Sequence, residues 1–284
     1  MTALDDRAAL VSLLRTGTRP WSEYAELIEQ RGSALAVLEE DQGLLASEGL
    51  GDARAQIARW ERRGIRILTV LDPDYPENLH AVHDRPPLVF VAGRLLAGDA
   101  RCVAVVGSRA ASTDGLARAR AVAEHLVGAG YAVASGLAVG IDTVAHRTAL
   151  DHGGRTLAVI GTGLERCYPD ENAELQRRIA SECAVVSQFW PEAPPTRASF
   201  PMRNAVMSGL SLATVVVEAT ETSGARVQAR LALAHGRPVF LSEPLLEQQW
   251  ARELLHRPGI HAVCAPDEIT ATLDRLTSPG ALAR

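Results

Sequence analysis

The spacing of apolar residues changes character near residue 62. Before that point, apolar positions recur at helical intervals in short stretches: Arg7–Leu14, Trp21–Gln30, Ser33–Glu39 and Asp52–Arg62. Small polar turns separate them and strand signals are absent, so four short amphipathic helices are predicted. From Arg101 to about Leu276, runs of β-forming residues alternate with helix-period stretches. Cys102–Gly107 is a buried-strand pattern that stops at Gly107-Ser108-Arg109. Leu116, Ala119, Val122, Ala123 and Leu126 then repeat at helical spacing. Tyr131–Ser135 ends in Ser135-Gly136-Leu137 and leads through Gly140-Ile141-Asp142 into a helix past His146. Arg155–Ile160 ends in Gly161-Thr162-Gly163. Leu212–Val217 ends in Glu218-Ala219, and Ser223-Gly224 opens another helix. Strands alternating with helices predict an α/β fold, a Rossmann-like, mostly parallel, doubly wound sheet with ligands at the carboxyl ends of its strands.

This divides the chain into a small helical module over 1–62, resembling SAM or helix-hairpin-helix units, the Rossmann-like domain over 63–276, and a frayed tail over 277–284. The helical module reads either as a contact surface for DNA or protein or as a packing cap. Residues 64–88 carry helix-breaking prolines and connect the two parts. Short strands such as Leu88–Ala92 are expected to extend the sheet at an edge.

Charge and cysteine content narrow the chemistry. A net charge of −5 argues against nucleic-acid binding through bulk positive charge and leaves room for a local basic pocket. All 29 basic residues are arginine. The four cysteines lack metal-ligand spacing, so no metal and no cofactor is expected; Cys102 and Cys264, in apolar strand-like stretches, are expected to be buried thiols. No segment is long and apolar enough for a membrane span and no signal-peptide pattern opens the chain, which places it in the cytoplasm. Neither GxGxxG nor GxxxxGK[ST] is present, which disfavours a dinucleotide site and a P-loop.

The candidate chemistry lies at the strand ends. A strand feeding a glycine turn and then a helix directs backbone N–H groups and a positive helix end at one point, as an anion site requires; an ordinary strand-to-helix turn is the alternative. Gly107, Ser108 and Arg109 there supply N–H donors, a hydroxyl and a guanidinium suited to a phosphate. Ser135-Gly136 and Gly161-Thr162-Gly163 add two further turns where a ligand backbone can come close. Tyr168 with Asn172, and Phe200 with Arg203 and Asn204, bring aromatics, amides and a second arginine that suit bases and phosphates; core packing is the alternative for both rings. Arg109 is expected to be the dominant phosphate contact and Arg203 the second, unless Arg109 instead braces its turn by pairing with Asp142. Asp142 and His146, four apart on one helix face, read as a local hydrogen-bonded pair rather than a catalytic dyad. Glu218 reads as a loop-ordering or capping acid. No catalytic residue is assigned.

Seven of these pieces stand in a fixed order: GIRILTVLDPDYPENL (64–79), DRPPLVFVAG (84–93), VAVVGSR (103–109), VASGLAVGID (133–142), TLAVIGTGLERCYPDEN (156–172), FPMRNAVMSGLS (200–211) and VVVEATETSGARVQARLALAHGRPVF (215–240). Together they resemble the DprA/Smf family of DNA-processing proteins over most of the chain. The resemblance implies an extended Rossmann fold that binds single-stranded DNA, protects incoming strands in natural transformation, assists loading of the RecA recombinase, and acts as a homodimer without catalysis. The chain departs from the family pattern at Val139 and Ala205, where basic residues are usual, at Ser223–Arg226, and throughout the segment after Phe240; no winged-helix pattern follows Leu276. A sensor or hydrolase of a small nucleotide-derived ligand is the competing reading, weakened by the missing PGGxGT run. A degenerate scaffold is the third.

Overall fold

The computed structural model describes residues 3–17, 19–43 and 49–277. Four helices come first: α1 (Ala3–Thr16), α2 (Trp21–Arg31), α3 (Ala34–Gln42) and α4 (Leu50–Arg62). On α4 the stripe Ala53, Ile57, Trp60 is buried, as spacing of three and four dictates. Trp60 packs edge-on against Phe90 at 5.2 Å and stacks near Trp190 at 6.0 Å, while its indole N–H donates to Glu192 Oε1 at 3.1 Å. Trp21 and the Arg15 guanidinium also lie against Trp190. An aromatic cluster therefore seats the helices on the sheet.

The sheet follows: β1 (Ile65–Thr69), a one-turn α5 (Glu77–His80), β2 (Leu88–Gly93), β3 (Cys102–Gly107), α6 (Thr113–Gly128), β4 (Ala132–Ser135), α7 (Ile141–Asp151), β5 (Thr156–Val159), α8 (Ala173–Glu182), β6 (Ala184–Ser187), α9 (Ser199–Leu210), β7 (Ala213–Glu218), α10 (Gly224–Ala234), β8 (Val239–Ser242), α11 (Gln249–Leu255), β9 (Ile260–Val263) and α12 (Asp267–Thr277). The nine strands lie in the order β1-β2-β6-β5-β4-β3-β7-β8-β9. Strands β3 to β9 pair in parallel, and β1 and β2 add an antiparallel edge. The edge predicted at Leu88–Ala92 is therefore one strand short: Ile65–Thr69, read as connection, lies outside it. This is a parallel-rich α/β sheet of the Rossmann type.

Period-two alternation sorts the core. On β3, Val103 and Val105 pack with Ala119, Val122 and Ala145 of α6 and α7, while Ala104 and Val106 join the cluster holding Val206, Met207 and Ala229 of α9 and α10. Both faces are thus covered, and the continuous apolar run of β3 is the consequence. Cys102 is buried in this layer, but Cys264 is exposed, contrary to expectation. It stands one residue past the last paired residue of β9, where the chain has already left the sheet. The tail expected to fray lies, apart from Thr277, outside the described residues. Among the described residues no helix is long and apolar enough to cross a membrane.

The topology positions the site. From β3 the chain moves through α6 to β4 on one side, whereas β7, reached last from β6, lies on the other. This reversal opens a crevice at the carboxyl ends of β3 and β7. There the register slips between Val106 and Gly107, so that Gly107 faces Glu218. A Cβ on Gly107 would lie 2.5 Å from Ile141 Cγ1 and 2.8 Å from Glu218 O, so only glycine fits the kink.

Candidate functional site

The crevice holds a cavity of about 490 Å³ between the Gly107–Ala110 turn, Phe200 and the Thr222–Ala225 start of α10. Asp142, Arg203 and Gln228 are buried against its floor. A second lobe of about 140 Å³ continues beyond Arg109 and Phe200 toward Gly136, Val139, Tyr168 and Pro169.

Arg109 stands between the two lobes. Its turn is held because Ser108 O accepts the Ile141 N–H at 3.3 Å, at the start of α7. Gly140 permits that approach, since a Cβ there would lie 2.4 Å from Ser108 O in a backbone at φ +81°. The guanidinium lies over the Phe200 ring, 5.5 Å from its centre, and Phe200 in turn lies 5.7 Å from Tyr168. Arg109 is exposed and has no ion-pair partner among the described residues. The bracing pair with Asp142 does not form: Asp142 Oδ2 instead accepts the Gly136 and Ala138 N–H groups at 3.2 and 3.3 Å. Tyr168 is 43% exposed, and Met202 beside Phe200 is exposed as well. The mouth of the crevice thus offers one free cation on an apolar, partly aromatic shelf.

The floor is different. Arg203 was expected as an open second cation, but it is only 6% exposed. Its Nη1 donates to Val159 O at 3.0 Å, and the guanidinium fills the space where Gly136 would carry a Cβ. Burial pushes its pKa down, and the neighbouring Asp142 charge opposes that shift. Asp142 is raised by burial, with Arg203 the main opposing influence. The two are buried opposite charges that act on one another without a direct salt bridge. Among the described residues Arg203 Nε has no hydrogen-bond partner, nor has Gln228 Oε1 on the same floor.

The anion place at the start of α6 is filled from within the chain. Glu218 Oε1 accepts the Ser112 N–H at 2.9 Å, Oε2 takes the Ser112 hydroxyl, and Arg118 lies 3.7 Å away. Glu218 is the loop-ordering acid, and a phosphate cannot also use that helix end. The helix that does open on the crevice is α10, whose Ser223 caps the Ala225 N–H at 3.2 Å. Ser223-Gly224, legible as a helix start and as a departure from the family pattern expected to fall in the ligand crevice, forms part of the crevice wall.

Several expected site residues are spent elsewhere. Asn172 is buried and donates to Leu137 O and Thr143 Oγ1 at 2.9 and 2.8 Å, so its amide is not offered to a base. Ser135 Oγ donates to Val105 O at 2.6 Å, tying the ends of β4 and β3. In the Gly161-Thr162-Gly163 turn, Gly161 lies under Phe200, Thr162 is buried, and Gly163 packs on the backbone of Trp190 and Pro191. Only Gly161 reaches the crevice, as a bed for Phe200. Asn204 is buried and bonds weakly to Gly224 O at 3.4 Å. Asp142 and His146 do not pair. His146 Nδ1 bonds Thr156 Oγ1 at 2.6 Å, and burial beside the Arg203 charge pushes its pKa down to about 3.

Comparison with known proteins agrees with this architecture. Residues 66–274 match the family model of DNA recombination-mediator protein A. Protein Smf of Synechocystis is 36% identical over 220 residues, covering 75% of this chain, which spans 55% of the length of that relative. The crystal structure of DNA processing protein A from Streptococcus pneumoniae superposes with a TM-score of 0.77 at 30% identity, covering 93% of this chain and 97% of the other. DNA processing protein A from Helicobacter pylori, described for its single-stranded DNA binding mode, superposes at 0.65 with 25% identity, covering 74% and 95%. With the sheet order, the crevice and the family model in agreement, the chain belongs to the DNA recombination-mediator protein A family.

Proposed function

We propose that this crevice binds the backbone and bases of single-stranded DNA, and that the protein serves as a recombination mediator without catalytic activity of its own. The observation that carries the reading is the mouth of the crevice: an exposed Arg109 with no ion-pair partner among the described residues, resting on Phe200 beside an exposed Tyr168. A guanidinium contributes bidentate donors to a phosphate, and the rings contribute stacking faces that serve any base. Stacking faces serve unpaired bases, whereas the bases of a duplex are stacked on one another, so single strands fit better than duplex. In this role the protein covers incoming strands in the cytoplasm during natural transformation, hands them to the RecA recombinase, and works as a homodimer.

The test is a fluorescence-anisotropy titration of a labelled oligothymidylate, with the matched duplex and a panel of mononucleotides as competitors. Tighter binding of the single strand is expected. Equal affinity for the duplex would sink the single-strand reading. The 490 Å³ cavity beside the start of α10 favours a second reading, a small nucleotide as ligand. Mononucleotide binding that outcompetes the oligonucleotide would select it.

A further inference from the structure

Far from the crevice, at the other end of α10, three side chains from distant parts of the sequence meet. His83 and Asp84 lie in the connection from α5 to β2, and His235 follows the last residue of α10. One ligand atom from each lies within 4.8 Å of the other two. Spacing along the chain hides this cluster, because 151 residues separate Asp84 from His235. We propose that His83, Asp84 and His235 bind a divalent transition-metal ion, with Zn²⁺ the best chemical match. Two imidazoles and one carboxylate are a nitrogen-and-oxygen ligand set that suits zinc and does not suit Mg²⁺ or Ca²⁺.

The geometry is that of a prepared ligand. The His235 side chain is fully buried, and its Nε2 lies 2.7 Å from Asp84 Oδ1. Its other nitrogen, Nδ1, is 2.6 Å from Ser208 Oγ, and that hydroxyl lies 3.2 Å from Ala205 O. In the metal-free chain Nε2–H donates to the Asp84 carboxylate and Nδ1 accepts from the Ser208 hydroxyl. With an ion on Nε2, the serine proton turns to the Ala205 carbonyl and Nδ1–H donates to Ser208 Oγ, as the outer nitrogen of a metal-bound histidine commonly does to a neighbouring oxygen. His83 completes the set, its ring nearly perpendicular to that of His235 at 74° and 5.6 Å away. Zn²⁺ would take the place of the proton between Nε2 and Oδ1. The ring proton moves from Nε2 to Nδ1 by exchange with solvent, and the two atoms move apart to about 3.3 Å, as ligands of one tetrahedral ion. Water supplies the remaining position. The ion would clasp the α5–β2 connection to the end of α10, independently of what the crevice binds.

The experiment uses the full chain stripped with a chelator. Titration with Co²⁺ should give the visible bands of a tetrahedral site at one equivalent. ZnCl₂ should displace Co²⁺ and raise the melting temperature by about 5 °C at saturation. His83→Ala, on an exposed residue that leaves the fold intact, should weaken Zn²⁺ binding at least about tenfold, and Ser208→Ala by a similar factor. Cys264→Ser and Cys167→Ser should leave binding unchanged. Absence of one-equivalent binding in the wild-type chain overturns the proposal. So does a His83→Ala chain that binds ZnCl₂ as tightly as wild type, or binding lost only in Cys264→Ser.

Discussion

Arg109 and Arg203 meet at one crevice, yet the chain uses them in opposite ways. Arg109 ends a strand, stands in solvent and has only an aromatic face beneath it. Arg203 lies in the first half of α9, where it reaches Val159 O and the space beside Gly136 and comes within electrostatic reach of Asp142. The same guanidinium is a free cation at the mouth and a structural ion on the floor. Burial decides the role. Removing one of two neighbouring buried opposite charges is strongly destabilising, because the survivor is left uncompensated, whereas an exposed arginine can be removed with little effect on folding.

Replacing Arg203 should therefore have the largest effect, and on stability. Arg203→Met keeps the volume and leaves the buried Asp142 without the opposite charge near it, held by the Gly136 and Ala138 N–H groups and the Ser135 side chain; a loss of roughly 3–5 kcal/mol is expected in urea unfolding. The double variant with Asp142→Asn should recover much of that loss, as electrostatically coupled sites do in a double-mutant cycle. If Arg203→Met melts like the wild type and fails only in DNA binding, the division between floor and mouth is wrong.

His146 sharpens the comparison through pH. Its folded pKa is near 3, held down by burial and by the Arg203 charge, against about 6.5 in an unfolded chain. The unfolded state therefore binds the extra proton between those values. The His146 contribution is complete above pH 6.5 and is lost as pH falls toward 3, at roughly 1.4 kcal/mol per unit. Asp142, raised by burial, works in the opposite sense, favouring the fold at low pH and losing that contribution as pH rises through its folded value. His146→Gln should flatten the decline in melting temperature between pH 6.5 and 4. An unchanged slope would show that the decline comes from other groups.

Arg109→Ala comes next in size and should act on binding alone. A loss of ~1.5–3 kcal/mol of single-strand affinity is expected, typical of a charge-assisted hydrogen bond. The log–log salt slope should fall by about 0.7, the share of one single-strand phosphate. Arg109→Lys should restore only part of the affinity, because the planar fork is lost. A marked drop in melting temperature with unchanged affinity would make Arg109 structural after all.

What could be read in advance follows the same line between mouth and floor. The alternation of β3, α6 and β4 was legible because a sheet covered on both faces requires unbroken apolar strands, and Val103–Val106 supply one. The antiparallel β1 was missed because Arg66 interrupts its apolar run and Pro73 and Pro76 follow it closely. Gly107, Ser108 and Arg109 were legible as a turn, since only a glycine tolerates the approach of Ile141 and Glu218. The placement of Asn172, Thr162 and Arg203 was not legible, because sequence reveals a polar residue near a strand end and not the direction it faces. Nor could sequence show that Glu218, 106 residues from Ser112, takes the helix end that a phosphate was expected to use.

The smallest expected effect belongs to Tyr168, and it tests whether the shelf matters beyond the cation on it. Tyr168 is 43% exposed at the rim of the second lobe and contacts Phe200 at 5.7 Å, so removing its ring leaves no buried cavity. Tyr168→Ala should leave the melting temperature within a degree or two of wild type. A base stacked on the ring contributes ~1–3 kcal/mol where it is sandwiched, and an open rim position should sit at about 1 kcal/mol, a fivefold loss of affinity. Because every base has a stacking face, oligothymidylate and oligoadenylate should both weaken, while the salt slope stays where it was, since no phosphate contact is removed. Tyr168→Phe should bind like wild type if stacking is the contribution. If Tyr168→Phe loses as much as Tyr168→Ala, the hydroxyl rather than the ring makes the contact, and the mouth of the crevice reads its ligand through polar bonds instead of an aromatic shelf.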